Sequence, residues 1–98
     1  MEEMKIICKD AESLRRMFET ALAERLQRLE AGIRRTEERL HEFETKYQMT
    51  TEEFLRRFEN DEITHRLDME FDEWIGESLM LDSLREKADR LTGVQFVN

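Results

Sequence analysis

The stretch Asp10–Tyr47, DAESLRRMFETALAERLQRLEAGIRRTEERLHEFETKY, reads as one long helix. It contains no Pro, has Gly32 as its single glycine, and holds few β-branched residues. In its second half the apolar positions fall at Leu26, Leu29, Ile33, Leu40, Phe43 and Tyr47, with Thr36 completing the series. Those steps alternate three and four, the period of about 3.5 residues that marks a coiled-coil seam rather than the broader stripe of a globular helix. At about 1.5 Å per residue the rod is roughly 57 Å long, nearly twice the width of a small domain. The rest of a 98-residue chain cannot bury it. The sequence therefore predicts assembly through helices.

Earlier in the same helix Leu14, Met17, Phe18, Ala21 and Leu22 form a wider apolar stripe, which narrows to the seam from Leu26 onward. With no partner for this stripe inside the chain, Leu14, Phe18, Leu22, Leu26, Leu29, Ile33 and Leu40 are the expected interface of a homo-oligomer, with a dimer favoured. Glu12/Arg16, Glu24/Arg28, Glu30/Arg34 and Glu42/Lys46 are acid-before-base pairs four apart, the favourable order on a helix. With Leu26 at heptad position a, Arg25 and Arg39 fall at g, and Glu30 and Glu44 at e. Two parallel chains use that charge pattern between them; a solvated helical face accounts for it equally.

The long helix is expected over about residues 10–48, with Asp10 as N-cap and Glu12 in its first turn. Thr50 and Glu53 have capping-box spacing, with Met49 and Phe54 at the staple positions, so a second helix is expected over 51–59. Its apolar face is Phe54, Leu55 and Phe58, and Asn60 and Asp61 close it. A third helix, about 65–91, carries Leu67, Phe71, Trp74, Ile75, Leu81, Leu84, Ala88 and Leu91 on one face. Gly93 stands where a C′ glycine ends a helix, with Lys87 and Arg90 in the last turns. Met4–Lys9 and Val94–Asn98 have the apolar character of short terminal strands. The fold class is all-α: one domain over 1–98, forming an oligomeric helical bundle.

Composition narrows the function. Charged residues make up 41% of the chain and Pro is absent, as in long helices. A net charge of -8 argues against a general nucleic-acid binder, and no apolar run reaches the length of a membrane span. The opening MEEMKIICKD has acids where a secretion signal needs positive charge, and Cys8 has no second cysteine to pair with. A cytoplasmic protein is expected.

Candidate chemistry is sparse. Glu38 with His41, and Glu62 with His65, have the Glu-x-x-His spacing by which ferritin-like bundles present ligands to iron; abundant glutamate produces the same spacing by chance. The pairs Arg15–Arg16, Arg34–Arg35 and Arg56–Arg57 have the chemistry to grip phosphate, but each is flanked by acids, as on a solvated face. Trp74 with Phe71, and Phe54 with Phe58, are either core residues or anchors for a partner. No Gly-rich phosphate loop, cysteine cluster or Ser/His/Asp constellation occurs. No enzyme activity and no cofactor are expected.

YQMTTEEFLRRFENDE (Tyr47–Glu62), followed by DMEFDEWIGE (Asp68–Glu77), combines an aromatic and Met, two hydroxyls, two acids, Phe and a basic pair, then acid-rich sequence reaching Glu-Trp. From Tyr47 to Leu91 the chain thus resembles a family of small helical prokaryotic proteins encoded beside toxin-like genes and regarded as antitoxin-type partners. It departs from the pattern at Ile63–Leu67, which lacks the glycine expected near the bend. The resemblance implies a non-catalytic interaction module whose acidic surface binds a basic, toxin-like protein, with Asp68, Asp72, Glu73 and Trp74 as its contact residues. A helical metal-binding assembly built on Glu38, His41, Glu62 and His65 is the alternative.

Overall fold

Asp10 starts the long helix as its composition requires. Its carboxylate accepts the Ser13 backbone N–H at 3.0 Å and the Ser13 hydroxyl at 2.6 Å, satisfying a first-turn donor that has no partner inside the helix. In the computed structural model, which describes residues 10–63 and 69–94, this helix is α1 (Ala11–Tyr47). It ends at Gln48, which turns left-handed at φ 54° and returns its N–H to the Glu44 carbonyl. After the turn come α2 (Thr51–Glu59) and then α3 (Met69–Thr92). The described chain is all-α. Of the expected terminal strands only Val94 is described, and it is not in a strand; Met4–Lys9 and the rest of the tail lie outside the described residues, as does the start expected for the third helix near residue 65.

The capping box before α2 is half made. Thr50 Oγ1 accepts the Glu53 N–H at 3.1 Å, but the Glu53 carboxylate turns to Arg56 and Arg57 instead of reaching back. Glu44, on the preceding helix, takes over and accepts the Thr51 N–H at 2.7 Å. A charged acceptor in the last turn of α1 thereby ties the start of α2 to it. Gly93 follows the last turn of α3 and donates to the Asp89 carbonyl at 3.2 Å. It does so without the positive φ expected of a C′ glycine.

The seam has the expected period but a different partner. Buried positions run Leu29, Thr36, Leu40 and Phe43 on α1, and Phe71, Trp74, Leu81 and Ala88 on α3. Both series keep heptad spacing, so α1 and α3 form an antiparallel coiled coil within one chain. Leu29 and Leu40, expected between chains, are 3% and 7% exposed in the monomer, and Ile33 packs at the edge of the same core. They are intrachain core. The third helix, 24 residues long and expected to cover part of α1 as it returns, lies over its C-terminal half and takes these positions from a second chain. Lys46 meets Glu70, and Gly32 meets Leu84. Continuing that register brings the end of α3 about level with Glu24, leaving roughly 20 Å of α1 as an overhang.

The core is aromatic at the end where all three helices meet. Phe54, the one fully buried residue of α2, lies flat against Trp74 with ring centroids 3.9 Å apart and planes 2° from parallel. Phe43 and Tyr47 of α1 also stack on the indole, at 5.5 and 5.6 Å. Its Nε1–H donates to Thr51 Oγ1 at 2.9 Å, so the one polar atom of the ring is satisfied as burial demands. Two substitutions should separate core from cap. Trp74→Ala should cost about 3–5 kcal/mol, and Thr50→Ala only about 1 kcal/mol, in urea unfolding followed by circular dichroism. An unmoved midpoint for Trp74→Ala would contradict the packing described.

Candidate functional site

Charged side chains on α1 fasten α3 along both edges of the seam. On one edge Arg39 donates Nε–H and an Nη–H to the two oxygens of Glu73, at 3.0 and 2.7 Å, and its other arm reaches Glu42 at 2.6 Å. Two turns further along α1, Lys46 donates to both oxygens of Glu70 at 2.6 and 2.8 Å, and the Tyr47 hydroxyl donates to the same carboxylate. On the other edge Arg85 faces Glu37 at 3.6 Å. Arg39, expected at a g position between two chains, is therefore spent inside one. Of the four expected i,i+4 pairs Glu12–Arg16 forms, at 3.7 Å, while Glu42 and Lys46 turn to Arg39 and Glu70 instead of to each other. The bidentate contact from Arg39 holds the Glu73 carboxyl below its ordinary pKa, and the Lys46 contact does the same for Glu70.

This arrangement corrects the expected contact surface. Trp74 is fully buried in the aromatic core and presents nothing to a partner. Glu73 is neutralised by Arg39. Asp72 is exposed with no ion-pair partner among the described residues, and Asp68 lies outside them. The exposed acids without a partner near the bend are instead Glu52 and Glu59, seven residues apart on one face of α2, together with Asp72.

The metal alternative gains no support. Glu38 and His41 are exposed, Glu62 is exposed with Arg56 at 3.9 Å, and His65 lies outside the described residues. Among the described residues no three His, Cys, Asp or Glu side chains gather closely enough to hold an ion.

Two open grooves flank the α1/α3 contact, and they differ in charge. One, about 630 Å³, carries Glu37, Glu44, Glu52 and Asp82 beside His41 and Arg85. The other, about 440 Å³, is walled by Arg25, Arg28, Arg35, Arg39 and Lys87, with Glu77 as its one acid. The sequence had singled out adjacent arginine pairs, which point to different sides of a helix. The signal it contained was the recurrence of Arg25, Arg28, Arg35 and Arg39 at steps of three, seven and four, which lines up one flank of α1.

No protein-family model, curated protein or solved structure matches the chain. No helix among the described residues is long and apolar enough to cross a membrane.

The edge contacts make stability depend on pH in a definite direction. Glu70 and Glu73 titrate below their ordinary value of 4.5 in the folded chain, so the unfolded chain takes up protons first as pH falls. Their contribution is complete above that value and is lost as pH drops through the folded pKa values beneath it. The thermal midpoint should fall as pH drops below about 4.5, and the fall should be shallower in the Glu70→Gln/Glu73→Gln variant. Equal slopes in the two proteins would show that these contacts add nothing.

Proposed function

We propose that this chain is a non-catalytic protein-interaction module that self-associates through the free end of α1, as an antitoxin-type partner would. The observation that carries the reading is the overhang. Met17 is 67% and Phe18 43% exposed there, and Leu14 and Leu22 are only half-covered. These residues prolong the stripe that α3 covers further along, so a second copy of α1 supplies what the chain's own third helix is too short to give.

Charge favours a second copy as the occupant. From Ala11 to Arg25 the sequence holds three acids, Glu12, Glu19 and Glu24, and three arginines, Arg15, Arg16 and Arg25. That segment is neutral in a chain of net charge -8. Two identical overhangs can meet without the repulsion the rest of the surface would impose. The remaining negative charge, with Glu52, Glu59 and Asp72 unpaired near the bend, then faces outward. A basic, toxin-like protein is the partner such a surface would attract, and acidic side chains can stand in for the phosphates a nuclease binds.

Light scattering at micromolar concentration should return at least twice the chain mass of 11.9 kDa. Phe18→Asp with Leu22→Asp should return a folded monomer, because a carboxylate buried without a partner is costly in a seam. A monomeric parent protein would remove the assembly reading. Co-expression with the product of the adjacent gene tests the partner separately. Growth rescue that persists after Glu52→Lys, Glu59→Lys and Asp72→Lys together would exclude electrostatic masking.

A further inference from the structure

The basic groove is anomalous in so acidic a chain. Among the described residues Arg25, Arg28, Arg35 and Lys87 have no carboxylate within ion-pair distance, and only Arg39 is engaged, by Glu42 and Glu73. The sequence offers 24 acids, and Glu24 precedes Arg28 at the favourable spacing, yet the two do not pair. The cations run from Arg25 to Arg39, roughly 21 Å along α1, with Lys87 contributed by α3.

The floor between them is apolar. Leu29 is buried, Leu84 is half-buried and Met80 is 52% exposed. Gly32, buried at the middle of the floor, lets Leu84 lie close on the α1 backbone, since a Cβ there would stand 3.3 Å from Leu84 Cδ1. Cationic walls over an aliphatic floor, about four helical turns long, match one kind of ligand closely.

We propose that this groove docks an acidic amphipathic helix of a partner protein, its carboxylates taken by Arg25, Arg28, Arg35 and Lys87 and its apolar side chains seated on Met80 and Leu84. Arginine forks bind carboxylates with two parallel hydrogen bonds, and an exposed methionine adapts to the apolar face of whatever helix arrives. Nucleic acid fits less well. The groove has no aromatic side chain on which a base could stack, and the surrounding negative charge repels a phosphate chain that extends past it. This surface meets the α1 overhang only at Arg25 and lies apart from the acids near the bend, so it adds a second partner of opposite charge.

The test uses the full chain and a fluorescein-labelled synthetic peptide of glutamate and leucine, with leucines at helical spacing, followed by anisotropy. The peptide should bind, more weakly as salt rises, and its glutamine-for-glutamate counterpart should not. Arg28→Glu/Arg35→Glu should weaken binding by at least about tenfold, and Lys87→Glu on the opposite wall should also weaken it. Arg34→Glu, exposed on α1 but outside the groove, should leave binding unchanged. Circular dichroism should show each variant folded, as expected for exposed cations without partners. Absence of peptide binding, equal loss in the Arg34 variant, or tighter binding of a single-stranded RNA would each overturn the proposal. A change of mass in the Arg28/Arg35 variant by light scattering would overturn it too, by giving the groove to a second copy. Phe18→Asp/Leu22→Asp should leave peptide binding intact, so failure of self-association and failure of docking are read apart.

Discussion

The flat contact between Phe54 and Trp74 holds the molecule together. It is the point at which α2 meets α3, and Phe43 and Tyr47 bring α1 to the same indole. Phe54 is the only buried residue of a nine-residue helix. Helices so short are unstable alone in water, so α2 persists because one aromatic ring anchors it and two acceptors, Thr50 and Glu44, satisfy its first N–H groups. Without the indole, the second helix would keep its cap and lose its reason to dock.

Stability is consequently unequal along the length of the molecule. Among the described residues the stacked and tilted ring contacts lie at the end holding Phe43, Tyr47, α2 and the start of α3, and the Arg39 and Lys46 contacts reinforce that end. Toward the other end the seam thins to Leu29 and Ala88, with Gly32 and Thr36 between them, and beyond Glu24 no described helix lies alongside α1. Local opening should begin where apolar contacts are fewest. The end least tied by its own chain is also the end with exposed Met17 and Phe18. The assembly proposed there and the dense packing at the aromatic end both trace to one mismatch in helix length.

How much of this was legible depends on the range over which each signal acts. Local signals carried through: Asp10 and Thr50 cap helices, and α1 and α2 have the expected extents within a residue or so. The heptad period was correct too, because period is a property of one helix. Which helix fills the seam is not. Leu29 and Leu40 carry the same pattern whether α3 or a second chain covers them. Ring contacts between residues far apart in sequence, Phe43 with Trp74 and Tyr47 with Phe71, bring α3 onto the seam. Trp74 was read on the apolar face of the third helix with Phe71 and Leu81, while the resemblance also placed it beside Asp72 and Glu73 as a contact residue. On a helix, though, adjacent residues face different ways, and its spacing from Phe71 and Leu81 was the better guide.

The same distinction explains why the basic groove did not stand out as sequence. Its arginines alternate with glutamates along the chain, so every short window of α1 looks balanced and solvated. Winding the chain into a helix sorts them by angle, putting Arg25, Arg28, Arg35 and Arg39 on the flank beside the groove and Glu30, Glu37 and Glu44 on the opposite flank. The folded helix is therefore far more polar across its width than along its length. Where α3 supplies an acid, as at Glu73, the cation is neutralised; where α3 instead supplies Lys87, Met80 and Leu84, it is not. Like charges held together in one groove repel, and among the described residues only Glu77 and the two carboxylates on Arg39 offset that repulsion. The repulsion falls when carboxylates enter from outside, so the same arrangement that mildly weakens the free fold favours an acidic partner.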